Sequence, residues 1–219
     1  MSAVAPIVSP IIKEKKLKIN LKRIKSARTL EYLKKNALAD ISDLDKIVPL
    51  CYLEGIENDF LKHSKSYKLP YSVDDVWDAY INIPPAESWA GNRIGFSFSY
   101  NTDSKDFHYL HDQYHGLEVN QLIFIEIKLL FGLFKLAVTH HVNQISPEEK
   151  KIKLCYVEGG KSSGSQIITF KKISESESIV VHDTFYKSDS KFRDEKLYPF
   201  LHELIINQFH KNVRKYMDR

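Results

Sequence analysis

Three histidines and one aspartate lie close together near the middle of the sequence. His108, His111, Asp112 and His115 are spaced i, i+3, i+4 and i+7, positions that share one face of an α-helix. Imidazole and carboxylate groups in such an arrangement suit zinc or another divalent ion. The surrounding stretch, 106–116, has the composition of a connector between strands, so ordinary surface histidines are the alternative. The sequence does not decide between the two, and we assign no metal or cofactor.

A second set of polar residues interrupts positions that are otherwise apolar. A polar group beneath a packed helix must be hydrogen-bonded or must face a cavity. A histidine with carboxylates in an apolar pocket could act as acid and base, but the same groups could pair with one another or orient a ligand's head group. These interpretations all stay open. The residues are Tyr100, His140, Tyr156, Glu158, Gln166, Asp183 and, on the last helix, Gln208.

The end of the chain predicts the element that must cover these groups. Apolar residues recur there at steps of three and four, which indicates an amphipathic helix over 199–217. Its predicted stripe contains Leu201, Leu204, Ile205, Gln208, Phe209, Val213 and Tyr216, with His210 on the polar side. Leu204 is expected to be central and fully buried. Such a helix needs a wide apolar partner.

Alternating stretches before the helix supply that partner. A strand near 61–69 is followed by a helix that Ser72 caps and that contains Trp77. A second strand covers 94–100, and four more lie between 119 and 186, which indicates an antiparallel meander. The inward apolar positions predicted by the alternation are Ile94, Phe96, Phe98, Phe134, Leu136, Val138, Leu154, Ile168, Phe170, Val181 and Phe185.

This order of elements resembles the helix-grip fold of the START and polyketide-cyclase-like (SRPBCC) superfamily over about residues 58–218. The resemblance implies an α+β fold in which a curved antiparallel sheet of six to seven strands wraps around the C-terminal helix. It also implies a cavity between sheet and helix for a lipid or another hydrophobic small molecule. We therefore predict a carrier or sensor. The alternative is a cyclase- or aromatase-like enzyme that uses His140 with Glu158 or Asp183.

The predicted ligand-binding residues combine the polar positions with apolar neighbours. They are Tyr100, Val138, His140, Tyr156, Glu158, Phe170, Asp183 and Gln208. The glycine-rich loop 159–164 lies between strands and lacks the spacing of a phosphate-binding loop, so we interpret it as a hairpin lip over the cavity mouth.

The N-terminal 57 residues fall outside the resemblance. The net charge of +4 is concentrated in 13–28, which hold eight basic residues and one acidic residue. We predict a basic arm (1–28), a helical extension (29–57) and the helix-grip domain (58–219). The arm suits a solvated tail or a weak contact with anionic membranes. Nucleic acid is not expected, because the basic stretch lacks interleaved aromatic residues.

Composition gives the expected compartment. Cys51 and Cys155 are the only cysteines, too few for a disulfide framework, and no Asn-x-Ser/Thr sequon occurs. The longest apolar run, 122–138, contains Glu126, Lys128 and Lys135, which makes a membrane span unfavourable. We expect a cytoplasmic protein.

Overall fold

The computed structural model describes residues 18–55, 59–129 and 132–219. Its strands are β1 (Leu61–Leu69), β2 (Ile94–Asn101), β3 (Phe107–Tyr109), β4 (Gln121–Leu129), β5 (Phe134–Ser146), β6 (Lys151–Tyr156), β7 (Ser163–Lys172) and β8 (Ser178–Lys187). Its α-helices are α1 (Ala27–Lys35), α2 (Ile41–Leu44), α3 (Val73–Asn82), α4 (Pro85–Ser88) and α5 (Tyr198–Met217). A 3-10 turn precedes α1 at Leu21–Arg23, and a π-helical turn precedes α5 at Arg193–Leu197.

The strands form one curved antiparallel sheet in the order β1-β8-β7-β6-β5-β4-β2-β3. The predicted α+β helix-grip fold is confirmed, with eight strands in the described residues where six to seven were expected. The short edge strand β3 is additional, and 119–187 contains five strands, β4 to β8, and not four. The Ser72 cap is also present, since its hydroxyl accepts a hydrogen bond from the Asp75 amide at 3.1 Å. We call the sheet face toward α5 the inner face and the opposite one the outer face.

A bulge in β2 changes which side chains face inward. Phe96 pairs with Ile125, but Phe98 pairs with Phe124, so β2 has one extra residue at this point. Ile94 therefore belongs to the inner core, whereas Phe98 packs in the outer cluster. The prediction that Phe98 and Tyr100 face inward is wrong, because a bulge reverses the alternation beyond it.

Two further inward assignments differ from the structure. In β8, the buried alternate positions are Val180, His182, Thr184 and Tyr186, so the predicted set of Val181, Asp183 and Phe185 is one residue out of phase. Phe134, at the start of β5, is 62% exposed. The β8 error arose because both faces of this strand carry large side chains: Phe185 on the outer face stacks on Tyr52 at 4.1 Å.

Helix α5 lies against the inner face, but its buried stripe is rotated from the predicted one. Ile206 and Val213 are almost completely buried, and His202 and His210 are buried as well. Leu204 is only half-buried, so its predicted central position is wrong. The prediction that His210 lies on the polar side is also wrong. A line of residues at steps of four, 198, 202, 206 and 210, faces the sheet.

The described part of the N-terminal region covers the outer face. Ile19 and Ile24 are 5% and 4% exposed and pack with Tyr32 and Leu33 in a second apolar cluster. Within the predicted arm, residues 18–28 are therefore packed against the sheet, while 1–17 lie outside the described residues. Within the described part of the extension, α1 and α2 are the helices, and 46–55 is irregular.

Cys51 and Cys155 form a disulfide that joins this N-terminal segment to β6. Beside it, the Leu50 amide donates to the Tyr156 carbonyl at 2.7 Å. The sequence-based expectation gave the two cysteines no structural role. Over the described ranges, no helix is long and apolar enough to cross a membrane.

Candidate functional site

A cavity of about 290 Å³ lies between the inner face and the first half of α5. On the sheet side its apolar wall contains Ile125, Ile127, Leu136 and Val138. Leu201, Ile205 and Ile206 of α5, together with Trp89 after α4, supply the opposite wall. The loop between β6 and β7 contributes Gly160, Lys161 and Ser162, as predicted for a lip.

Polar groups are concentrated on one part of the cavity wall. His140, Gln166 and Tyr156 project from the neighbouring strands β5, β7 and β6, and all three are buried. The Gln166 amide nitrogen lies 2.8 Å from His140 Nε2 and 3.1 Å from the Tyr156 hydroxyl. The Tyr156 hydroxyl in turn bonds to the hydroxyl of Tyr198, at the start of α5.

The polar chain continues from the cavity into the core. The Gln166 amide oxygen lies 3.0 Å from His182 Nε2, and His182 Nδ1 lies 2.8 Å from His210 Nε2. His210 Nδ1 bonds to the hydroxyl of Tyr80 on α3. One hydrogen-bonded row thus connects four strands, β5 to β8, with α5 and α3.

Burial keeps these groups uncharged. Desolvation lowers the pKa of His140 to about 4 and that of His210 to about 3. It also lowers the pKa of His182, and the neighbouring histidines lower it further. Burial raises the pKa values of Tyr156 and Tyr198. Near neutral pH these imidazoles and phenols are therefore neutral hydrogen-bonding groups, while the basic residues Lys161 and Arg193 also belong to the cavity lining.

His202 belongs to a second and smaller set of polar contacts at the cavity. Its Nδ1 lies 3.3 Å from Nδ1 of His63 on β1, and its Nε2 lies 3.5 Å from the Thr184 hydroxyl. Burial lowers the pKa of His202 well below its ordinary value. His63 is near the surface, where its Nε2 lies 3.8 Å from a carboxylate oxygen of Glu203.

Three of the eight predicted ligand-binding residues meet at the cavity. Val138, His140 and Tyr156 all line it, as does Gln166, the polar position that the alternation had also selected. Phe170 faces inward but lies beneath α3, where its ring meets Trp77 and Tyr80 at 5.4 and 4.8 Å.

The other four lie elsewhere. Tyr100 is in the outer cluster, where its hydroxyl donates to Asp45 at 2.7 Å. Asp183 points outward and accepts from the Ser64 hydroxyl at 2.5 Å, because β8 has the opposite phase. Glu158 lies beyond β6 and accepts from the Val48 amide at 3.1 Å. Gln208 donates to Asn212 on the same helix at 2.9 Å. The predicted pair of His140 with Glu158 or Asp183 is therefore not assembled.

Sequence reasoning missed Tyr198, His182, His202 and His210. The signal for three of them was the spacing 198, 202, 210, which places polar aromatic rings along one line of α5. His182 could have been found only with the correct phase of β8.

The histidine group around residue 108 does not form a shared helical face. His108 lies on β3, with its Nδ1 3.1 Å from the Gln113 carbonyl, and Asp112 forms an ion pair with Arg23 at 2.5 Å. Across the described ranges, no group of three or more His, Cys, Asp or Glu residues is arranged to hold a metal ion.

The architecture defines a helix-grip protein with a cavity beneath its last helix, and solved structures share that fold. Major latex-like protein 151 from Panax ginseng has a TM-score of 0.53 at 11% identity, covering 73% of this chain and 99% of the other. A conserved protein from Geobacillus kaustophilus has 0.51 at 14%, covering 72% and 95%. A START superfamily protein from Mycobacterium smegmatis has 0.50 at 11%, covering 72% and 97%.

The predicted resemblance to the START-like superfamily is thus confirmed as a likeness of fold. No protein-family model matches the sequence, and no curated protein matches it significantly. At 11–14% identity, the three structures establish the fold and leave function to the geometry of the cavity.

Proposed function

We propose that the protein binds an apolar small molecule in the cavity between sheet and α5, as a carrier or sensor. The observation that supports this proposal is the cavity of about 290 Å³, which has a largely apolar wall, a group of neutral polar side chains and two basic residues, Lys161 and Arg193. Protein cores normally pack without such voids, and small-molecule sites typically combine apolar walls with a few orienting polar groups. The same fold in START-like proteins is consistent with this role.

The alternative of a cyclase-like enzyme required His140 to pair with Glu158 or Asp183. No Asp or Glu is among the described residues that line the cavity. Glu158 and Asp183 form hydrogen bonds elsewhere, and burial keeps His140 neutral with a pKa of about 4. We therefore place ligand retention ahead of a cyclase reaction.

A fluorescent probe tests the proposal. N-phenyl-1-naphthylamine is neutral and apolar, and its emission rises when it leaves water. We expect saturable binding to the wild-type protein. Val138→Trp should fill the cavity and abolish binding, while Val119→Trp, at a site 40% exposed and outside the cavity, should leave binding unchanged. Binding that survives Val138→Trp with unchanged affinity would contradict the assignment of the cavity as the site.

The disulfide bears on the cellular compartment. Cytosolic proteins seldom keep disulfides, whereas oxidising compartments favour them. We propose that Cys51 and Cys155 are oxidised in the functional protein, which favours an oxidising compartment over the cytoplasm predicted from composition. Intact mass spectrometry without reductant should show a chain two hydrogens lighter than the reduced one. A chain purified from its host with both thiols free would contradict this assignment.

A further inference from the structure

Four large apolar side chains are far more exposed than the rest. Among the described residues, the most exposed large hydrophobics are Leu133 at 81%, Phe192 at 66%, Phe200 at 64% and Phe134 at 62%, and no other exceeds 50%. Apolar residues scattered singly over a surface are ordinary, whereas a group of them marks an interaction site. The question is therefore whether these four lie together.

Phe134 continues one wall of the cavity into solvent. Val138 and Leu136 line the cavity, and Phe134 is the next residue on the same face of β5. In the ladder Phe134 pairs with Leu129, which also lines the cavity. The inner face of β4 and β5 thus leads from the cavity wall to an exposed aromatic ring, and the exposed Leu133 directly precedes it.

The start of α5 lies on the other side of the same opening. Leu197 lines the cavity and is 42% exposed, so the cavity meets solvent at this side chain. Phe200 is one helical turn further and is adjacent to Leu201 of the cavity lining. Phe192 directly precedes Arg193, which also lines the cavity. The four most exposed apolar side chains therefore surround one opening.

Basic side chains accompany the apolar ones. We call residues 132–135, 159–164 and 189–200 the mouth surface; together they hold five basic and three acidic residues. One of the acidic residues, Asp194, is buried, and its carboxylate accepts from the Ser188 hydroxyl at 2.5 Å. The mouth surface therefore presents an excess of positive charge to solvent.

Ion pairs neutralise only part of this charge. Asp189 pairs with Arg193 at 2.8 Å, and Glu195 pairs with Lys191 at 3.7 Å. The lysines of the mouth surface that form no ion pair with a described residue are Lys135, Lys161 and Lys196. A second copy of this chain would bring positive charge against positive charge, whereas anionic lipid headgroups are complementary.

We propose that the mouth surface docks on membranes that contain anionic lipids, with Leu133, Phe134, Phe192 and Phe200 entering the interfacial layer. Surfaces of this kind bind there by burying apolar area, and neighbouring basic residues add attraction to anionic headgroups. Docking in this orientation turns the opening of the cavity toward the lipid. The inference goes beyond the proposed function, because docking does not require an occupied cavity.

Cosedimentation of the full chain with vesicles tests the apolar contribution. We expect binding to vesicles of phosphatidylcholine with phosphatidylglycerol. The pair Phe134→Ser and Phe200→Ser should lower the partition coefficient at least about tenfold, because two apolar side chains no longer enter the lipid. The control pair is Val119→Ser and Ile173→Ser, exposed residues beyond the opposite ends of β4 and β7, and should bind like the wild type.

Two results of this experiment would overturn the inference. One is the absence of wild-type binding. The other is equal binding by the two pairs of variants, which would assign the contact to the basic N-terminal arm. A wild type that sedimented as a dimer without vesicles, and that Phe134→Ser with Phe200→Ser made monomeric, would identify an interface between copies and would also overturn it.

Lysine substitutions test the preference for anionic lipid. Lys135→Gln should lower the ratio of binding to vesicles with and without phosphatidylglycerol about fivefold. Lys171→Gln is the matched control, since Lys171 is exposed near the end of β7 far from the mouth surface, and should leave the ratio unchanged. An equal effect of the two substitutions would contradict a role for the charge of the mouth surface.

Tryptophan fluorescence reports the orientation of the docked protein. With brominated lipids in the vesicles, the emission of Phe200→Trp should be quenched, whereas that of Ile173→Trp should not. The native Trp77 and Trp89 are buried and common to both variants. Val138→Trp, which fills the cavity, should still cosediment, so that docking and ligand binding are measured separately. Equal quenching of Phe200→Trp and Ile173→Trp would overturn the proposed orientation and with it the inference.

Discussion

Ile206 and Leu204 are two residues apart on α5 and differ sharply in burial. Ile206 is 1% exposed, whereas Leu204 keeps part of its surface in water. Removing buried aliphatic carbons costs transfer free energy and leaves a void. We expect Ile206→Ala to lower the free energy of unfolding by about 2–5 kcal/mol and Leu204→Ala to lower it by less than half as much, both measured by urea denaturation. A larger loss for Leu204→Ala would show that the helix is rotated toward the predicted stripe.

The buried histidines make stability depend on pH. The pKa of His140 is about 4 and that of His210 about 3, whereas a histidine in the unfolded chain has a pKa of about 6.5. Between about pH 6.5 and 4 the unfolded chain therefore binds more protons than the folded one. Stability should fall as the pH falls through this window, by up to about 1.4 kcal/mol per pH unit for each such histidine.

Urea midpoints across this window measure the effect. His210→Gln should reduce the slope of unfolding free energy against pH, because one proton-binding group of the unfolded chain is gone. His111→Gln is the control, since His111 is exposed and makes no part of the buried row. A slope that His210→Gln leaves unchanged would show that His210 does not resist protonation in the folded protein.

At the scale of elements, sequence patterns predicted the strands better than their faces. The bounds of β1 and β4 to β8 follow alternation and turn residues, and those signals are local. The predicted inner and outer faces are wrong in β2, where the bulge after Phe96 reverses the alternation. They are also wrong in β8, where the large side chains of Phe185 and Tyr186 lie on opposite faces. A one-residue change of phase moves every side chain of a strand to the other face.

The same limit explains which residues of the candidate site could be predicted from the sequence. Val138, His140 and Tyr156 lie on strands whose phase was predicted correctly as far as the cavity. The row through His182 and His210 depends on contacts between β8 and α5, which are far apart in sequence. No periodicity within one element reports such a contact.

The N-terminal segment is an element whose two parts should behave differently. Deleting residues 1–17 removes three of the eight basic residues of 13–28, Lys13, Lys15 and Lys16, and should weaken any low-salt binding to anionic liposomes that depends on the basic arm. Deleting 1–28 removes Ile19 and Ile24, which are buried against the outer face, and should cost at least about 3 kcal/mol. Thermal unfolding of the two truncated chains checks this. Equal stability would show that 18–28 contribute no packing.

At the scale of the whole molecule, the disulfide should stabilise the fold by restricting the unfolded chain. Cys51 and Cys155 are 104 residues apart, so the bond closes a long loop. We expect reduction, or the pair Cys51→Ser and Cys155→Ser, to lower unfolding free energy by about 2–4 kcal/mol. The reduced wild type and the double variant should agree. A variant as stable as the oxidised protein would show that the cross-link adds nothing.

The cross-link also sets how far the molecule can be stretched. If its two ends were pulled apart in an optical trap, the strands from β1 to β5 and most of β6, with α3 and α4 between them, would lie inside the closed loop and carry no tension. At about 3.3–3.6 Å per extended residue, the oxidised chain should fall short of the reduced one by roughly 350 Å. Force applied from outside would thus reach α5 and the last two strands while the sheet strands enclosed by the loop stayed slack.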